Sequence, residues 1–273
     1  MKGVCTSRSL SFRVLGPLSV LVDNRSLPIP GGKQRTLLGA LLLHANEVVP
    51  VDELVEHIWG DELPHRPRRA LHTYLTRLRH TLARQGAGLA RLIHTSGAGY
   101  LIEIPPDQLD LTRFRTLLGN ANSAAGRGDR ATESVHLAEA LALWRGPVLP
   151  DVQSESLHRD VVPRITEDWV RATERYCDSG LALGRHEELV GSLRVLTLKY
   201  PFHERLWQHL MLALYRSGRR GEALAAYAEM GNRLREDLGV DPCAEVRHLH
   251  LAMLRDEVPG PRGQPGGAVA RAK

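Results

Sequence analysis

Leu71, Leu75, Leu78 and Leu82 recur at steps of four, three and four within RPRRALHTYLTRLRHTLARQG. On a helix turning about 100° per residue, that spacing draws the four leucines into one narrow stripe. The opposite face collects Arg69, Thr73, Thr76, Arg77, His80 and Arg84. Each is a cation or a hydrogen-bond donor, and none is an acid. A merely solvated helix more often carries Glu–Arg pairs on that side. The stretch is thus constrained twice: leucines tie it to a core, and the rest suits a polyanion.

The charge distribution sharpens this. Between Glu62 and Glu103 lie 40 residues without an acid, holding Arg66, Arg68, Arg69, Arg77, Arg79, Arg84 and Arg91, together with His65, His72, His80 and His94. Residues 1–106 carry 13 Lys plus Arg against 8 Asp plus Glu, whereas residues 107–273 carry 23 of each. The whole net charge of +5 therefore belongs to the first part. A localised basic surface is the electrostatic footprint of nucleic-acid binding, with a solvated basic face as the alternative.

The neighbouring segments predict a winged helix. FRVLGPLSVLVDNRSLPI alternates apolar and polar residues, with turn signals at Gly16–Pro17 and Asp23–Asn24, and reads as short antiparallel strands. Residues 33–45 read as a first helix, VPVDELVEHIWG as a second ending at Gly60, and the arginine-rich stretch as a third. RLIHTSGAGYLIEI then gives two strands about Ser96–Gly99, a wing hairpin. The third helix of such a helix-turn-helix variant lies in the major groove. The opening of the first helix, GGKQRT, is not a phosphate-binding P-loop. Lys33 is followed by Gln34 rather than Ser or Thr, and Leu27 stands where the leading glycine belongs. Lys33, Gln34 and Arg35 instead form a first helical turn within reach of a DNA phosphate.

After PPDQLDL, nearly everything to about residue 255 is helical by composition and period. GRHEELVGSLRVLTLKYP and GRRGEALAAYAEMGNRLRE align with Gly184 on Gly218, an offset of 34 residues, the period of a tetratricopeptide helix pair. A weaker copy is placed at Gly126, with an extra helix pair in the longer stretch that follows. Stacked pairs of this kind bury one another's apolar faces. They either bind proteins or act as dimerisation and spacer blocks.

Residues 10–106 resemble the OmpR/PhoB-type winged-helix domain through GGKQRTLLGALLLHANEVVPVDELVEHIWG, LHTYLTRLRHTL and GAGYLI. Over residues 10–255 the chain resembles the SARP family (Streptomyces antibiotic regulatory proteins), through ALALWRGPVLPDV, LALGRHEELV, HERLWQHLMLALYRSGRRGEAL and LREDLGVDPCAEVRHLH. The implied fold is mostly α: a winged helix-turn-helix at 10–106, then an all-α tetratricopeptide-like bacterial transcriptional activation domain at 107–255. A flexible N-terminus at 1–9 and a Pro/Gly-rich disordered tail at 256–273 complete the expected organisation.

The resemblance implies a transcriptional activator of a secondary-metabolite gene cluster. It would bind double-stranded DNA at direct repeats as a side-by-side homodimer and recruit RNA polymerase with its sigma factor. Arg77 matches the position that reads bases, followed by His72, Thr73 and Thr76. Arg69, Arg79 and His80 are phosphate clamps, which fix register without reading sequence. Trp59 matches a phosphate-contacting tryptophan, with a core tryptophan as the alternative. In the wing, Ser96 occupies the tip where relatives carry an arginine, with Arg91 and His94 further back, so minor-groove readout is weakened. Asp61 and Glu62 lie where OmpR-type proteins touch polymerase, if they are not simply a connecting loop.

Other classes are poorly supported. No HExxH, GxGxxG or nucleophile elbow occurs, and no two of the 13 histidines are spaced i,i+3 or i,i+4, so no enzyme is expected. Cys5, Cys177 and Cys243 lack metal-type spacing, and no metal or cofactor is expected. The N-terminus lacks a signal-peptide core and no apolar run spans a bilayer, which points to a cytoplasmic, nucleoid-associated protein without membrane contact. No receiver domain precedes the winged helix, so an aspartyl phosphorylation switch within this chain is not expected. The competing function is a tetratricopeptide adaptor whose basic winged helix contacts proteins.

Overall fold

The computed structural model describes residues 9–84 and 88–258. The flexible segment expected at 1–9 and the tail expected at 256–273 therefore fall almost wholly outside the described residues. The chain forms two compact units, one of residues 1–120 with 138–171, the other of 121–137 with 172–273. The segment 138–171, placed by sequence in the second domain, clusters with the first unit.

In the first unit, β1 (Leu10–Arg13), β2 (Ser19–Val22) and β3 (Arg25–Leu27) form an antiparallel sheet in that order. Leu10 pairs with Val22 and Phe12 with Val20, and all four are buried on one face. Asp23 and Asn24 both take positive φ (49° and 62°), as the tight turn between β2 and β3 requires. Helix α1 (Gly32–Leu43) is buried continuously from Thr36 to Leu43, which makes it the central rod of the unit. The short strand β4 (Val49–Pro50) leads into α2 (Val51–Trp59), whose Leu54, Val55, His57 and Ile58 are buried. Helix α3 (Pro67–Ala83) starts with proline at its first turn and buries Leu71, Leu75, Leu78 and Leu82, none more than 1% exposed.

The wing strands β5 (Ile93–Ser96) and β6 (Gly99–Ile102) pair antiparallel, and β4 joins the outer side of β6. Gly99 is fixed by that third strand: a Cβ there would stand 1.9 Å from the Val49 carbonyl oxygen.

Residues 143–154 are irregular and clamp the first unit from within. The Arg145 N–H donates to the Leu15 carbonyl (2.8 Å), and the Leu149 N–H to that of Gly16 (3.0 Å). Asp151 accepts from the Leu18 N–H (2.9 Å) and pairs with Arg35. Asp110, at the start of α4 (Asp110–Gly126), accepts from the N–H groups of Val14 and Leu15 at 2.9–3.0 Å. Trp144 packs edge-on against Phe114 (5.4 Å) and against Trp169 (5.7 Å).

The helices that follow are α5 (Arg130–Ala142), α6 (Val162–Ala182), α7 (His186–Lys199), α8 (Glu204–Arg216), α9 (Arg220–Arg233) and α10 (Ala244–Arg255). In the second unit, α7 to α10 enclose a core of Leu193, Trp207, Leu210, Met211, Leu214, Met230 and Met253. The repeat is real but its third copy sits two residues later than the sequence alignment put it. Gly128, Gly184 and Gly218 take φ of 73°, 78° and 75°, and each precedes the next helix by two residues. After each, the next N–H bonds the carbonyl five residues back: Asp129 to Ala124, Arg185 to Gly180, Arg219 to Leu214. This is one helix-ending motif used three times. Gly126 is simply the last residue of α4. The longer stretch between the first two copies holds no extra helix pair. It contains the irregular segment 143–154, a π-helical turn at Leu157–Val161 and the single long helix α6.

Candidate nucleic-acid interface

The leucine stripe turns the opposite face of α3 outward. Arg69, His72, Thr73, Thr76, Arg77 and His80 are all exposed and share that face. Among the described residues no acid lies within ion-pair distance of Arg69 or Arg77. Arg68, at the margin, pairs with Asp52 of α2 at 3.2 Å, with both side chains well exposed.

The face has a definite chemistry. Arg77 lies over the Tyr74 ring at 5.7 Å, and Tyr74 meets Trp59 at 5.9 Å between centroids. An aromatic row from the end of α2 thus supports the middle arginine, restricting its rotamers before any partner arrives. Trp59 is half-buried in this row, neither a core residue nor free-standing. The hydroxyls of Thr73 and Thr76 donate to the Arg69 and His72 carbonyls at 3.0 and 2.9 Å. Their protons being engaged, these threonines offer an acceptor oxygen and a methyl group, which suit base amino groups and the thymine methyl.

Arg79 sits differently. It is half-buried and donates to the Ile93 carbonyl (3.0 and 3.2 Å) and to the Thr95 hydroxyl (3.1 Å). It braces α3 against the wing, a role that charge alone did not reveal. In the wing, Arg91 and His94 are exposed, His94 lies 3.2 Å from Glu103, and Ser96 is half-buried beside the turn. Lys33 and Arg35, expected near DNA phosphate, are engaged within the unit. Lys33 donates to the Ile58 carbonyl, closing α2, and Arg35 donates to the Leu18 carbonyl while pairing with Asp151. Asp61 and Glu62 are exposed in the loop joining α2 to α3, beside a cleft of about 690 Å³ lined by Val55, Glu56, Leu63, Arg66 and Pro67 among others.

Tyr74 is the residue beside this candidate face that the sequence pattern does not single out. Its signal was available: it lies three residues before Arg77, one turn away on the same helix. Among the described residues no helix is long and apolar enough to cross a membrane.

Comparison with known proteins agrees with this geometry. Residues 30–102 match the family described as "Transcriptional regulatory protein, C terminal", and residues 109–254 match the "Bacterial transcriptional activator domain". The chain is 34% identical to the transcriptional regulatory protein EmbR of Mycobacterium tuberculosis over 94% of its own length and 66% of EmbR's, so it spans about two thirds of that relative. It is 34% identical to the regulatory protein DnrI of Streptomyces peucetius, covering 90% of this chain and 92% of DnrI. With the regulatory protein AfsR of Streptomyces griseus it shares 37% identity over 95% of this chain but 26% of AfsR. The structure of M. tuberculosis EmbR in complex with a low-affinity phosphopeptide superposes with a TM-score of 0.85 at 32% identity, covering 93% of this chain and 67% of that one. The chain, a winged helix followed by a bacterial transcriptional activator domain, belongs to the SARP family of transcriptional regulators.

Proposed function

We propose that the chain is a sequence-specific DNA-binding transcriptional activator that sets α3 in the major groove. It would occupy direct repeats near a promoter −35 element as a side-by-side pair and recruit RNA polymerase through the Asp61–Glu62 loop. The observation that carries this reading is the outward face of α3: exposed Arg69 and Arg77 without acidic partners among the described residues, on a helix fixed by four buried leucines. Arg77, held by Tyr74, suits bidentate contact with a guanine edge. Arg69, His80, Arg91 and His94 suit phosphates on either side. By kinship with DnrI and AfsR, the regulated genes are those of a secondary-metabolite cluster. The protein works in the cytoplasm on the nucleoid and performs no catalysis. Footprinting on the intergenic regions beside its own gene tests the reading. Protection of two repeats in tandem on one face of the duplex supports it, and no protected site at any concentration refutes it.

A further inference from the structure

Where α1 ends against α2, three side chains with metal-binding atoms converge. His44 is the C-cap of α1, and Glu53 and His57 stand one turn apart on α2. His57 Nε2 lies 3.5 Å from Glu53 Oε1, and His44 Nε2 lies 3.9 Å from the same oxygen. All three ligand atoms fall within 4.8 Å of one another. Ligands about 2.0–2.1 Å from a tetrahedral zinc are separated by about 3.3–3.4 Å, so only a small inward movement is needed.

A second observation points to a ligand. His57 is only 5% exposed, yet among the described residues its Nε2 makes no hydrogen bond of good geometry, and neither does His44 Nε2. A buried ring nitrogen whose nearest polar neighbour is a carboxylate oxygen at a long 3.5 Å is poorly satisfied for a folded core. The other nitrogen of His57 is held: Nδ1 lies 2.9 Å from the Ser156 hydroxyl. With Nδ1–H donating to that hydroxyl, Nε2 presents its lone pair to the cluster, the arrangement by which outer hydrogen bonds orient metal-ligating histidines. The entry is open, because His44 and Glu53 are 26% and 38% exposed.

We propose that His44, Glu53 and His57 bind one divalent transition-metal cation of the zinc type, with water in the fourth position. Two imidazoles and one carboxylate select borderline cations over magnesium or calcium. The ion pins the end of α1 to the middle of α2, the pair of helices on which α3 is seated. It neutralises the carboxylate and satisfies both orphan nitrogens in one step.

The test uses the untagged full-length chain, stripped with chelator and titrated with Co²⁺, then with competing Zn²⁺. The wild type should bind one Co²⁺ per chain with the visible bands of a low-symmetry site, lose them to Zn²⁺, and melt at a higher temperature with Zn²⁺ present. His57→Gln can fail to fold, so the deciding variants are His44→Asn and Glu53→Gln at the accessible rim. Each should weaken binding by at least about tenfold and abolish the Zn²⁺-dependent rise in melting temperature. Ser156→Ala should keep the 1:1 stoichiometry with affinity about tenfold lower. Absence of saturable Co²⁺ binding in the wild type, or equal affinity in the His44→Asn, Glu53→Gln double variant, overturns the proposal.

Discussion

Five arginines of the second unit and two on the outer face of α3 are used in opposite ways. In the second unit they are answered by acids of the same unit: Arg175 by Glu133 (2.6 Å), Arg194 and Arg219 by Glu222 (2.5 and 2.7 Å), Arg205 by Asp178 (2.8 Å), Arg233 by Glu229 (2.8 Å). On the outer face of α3, Arg69 and Arg77 have no such answer among the described residues. Paired surface charge ties a helical stack together weakly and leaves little field outside. Unanswered charge costs self-repulsion, which an external polyanion relieves. The contrast fits the proposed recognition of an anion by the outer face of α3, with the paired arginines serving cohesion.

The largest test of that contrast reverses the free charges. Arg69→Glu with Arg77→Glu should lower affinity for a footprinted site by about a hundredfold or more, measured by fluorescence anisotropy, with the melting temperature nearly unchanged. The same reversal at Arg194 and Arg219 should leave DNA affinity within about twofold, and an equal loss there would dissolve the comparison.

The next effect concerns stability. Asp110 is 6% exposed and holds the Val14 and Leu15 N–H groups, with Arg145 at 3.6 Å. Asp110→Asn cannot accept both bonds as a charged group and should cost about 2–4 kcal/mol in chemical denaturation. In the helical unit, Gly184→Ala forces a side chain into positive φ and should cost about 1–2 kcal/mol.

Arg79 separates bracing from clamping. If it braces the wing, Arg79→Ala lowers DNA affinity severalfold while the slope of log K against log salt stays unchanged, and amide exchange in β5 accelerates. A drop in that slope by about one would mark it as a phosphate contact instead.

The smallest effect is a pH dependence. Burial works against Asp178, but the bonds from His209 (2.8 Å) and Arg205 hold its carboxyl below the usual carboxylate range. Its stabilisation is present above the unfolded value of about 3.9 and is lost as pH falls through the lower folded value. The wild type should therefore lose more melting temperature than Asp178→Asn between about pH 5 and about pH 3.

What the sequence showed and what it hid follow from one physical distinction. Helix α3 was legible because its leucines repeat with the period of the element itself. The wing was legible because Gly97–Ala98 sits between two β-rich runs. The third repeat was displaced by two residues because GRGDR contains two Gly-Arg-like starts, and only backbone conformation separates Gly126 from Gly128. The clamps through Asp110, Arg145 and Asp151 join residues 95 or more positions apart, and no local pattern encodes them. The His44–Glu53–His57 cluster escaped for the same reason, since a search for paired histidines misses a ligand contributed by another helix. Charge alone makes Arg79 a clamp, and its hydrogen bonds to the wing depend on where β5 lies.

The central claim, that α3 presents free cations to DNA, is tested most directly by the salt dependence of binding. Affinity for a footprinted fragment should fall linearly in log K against log salt, losing about 10³-fold or more between about 50 and about 200 mM. The Arg69→Ala, Arg77→Ala protein should show a slope shallower by about one, from the lost Arg69 phosphate contact. Binding that barely changes over that range, or a slope unaffected by removing both arginines, would contradict the account.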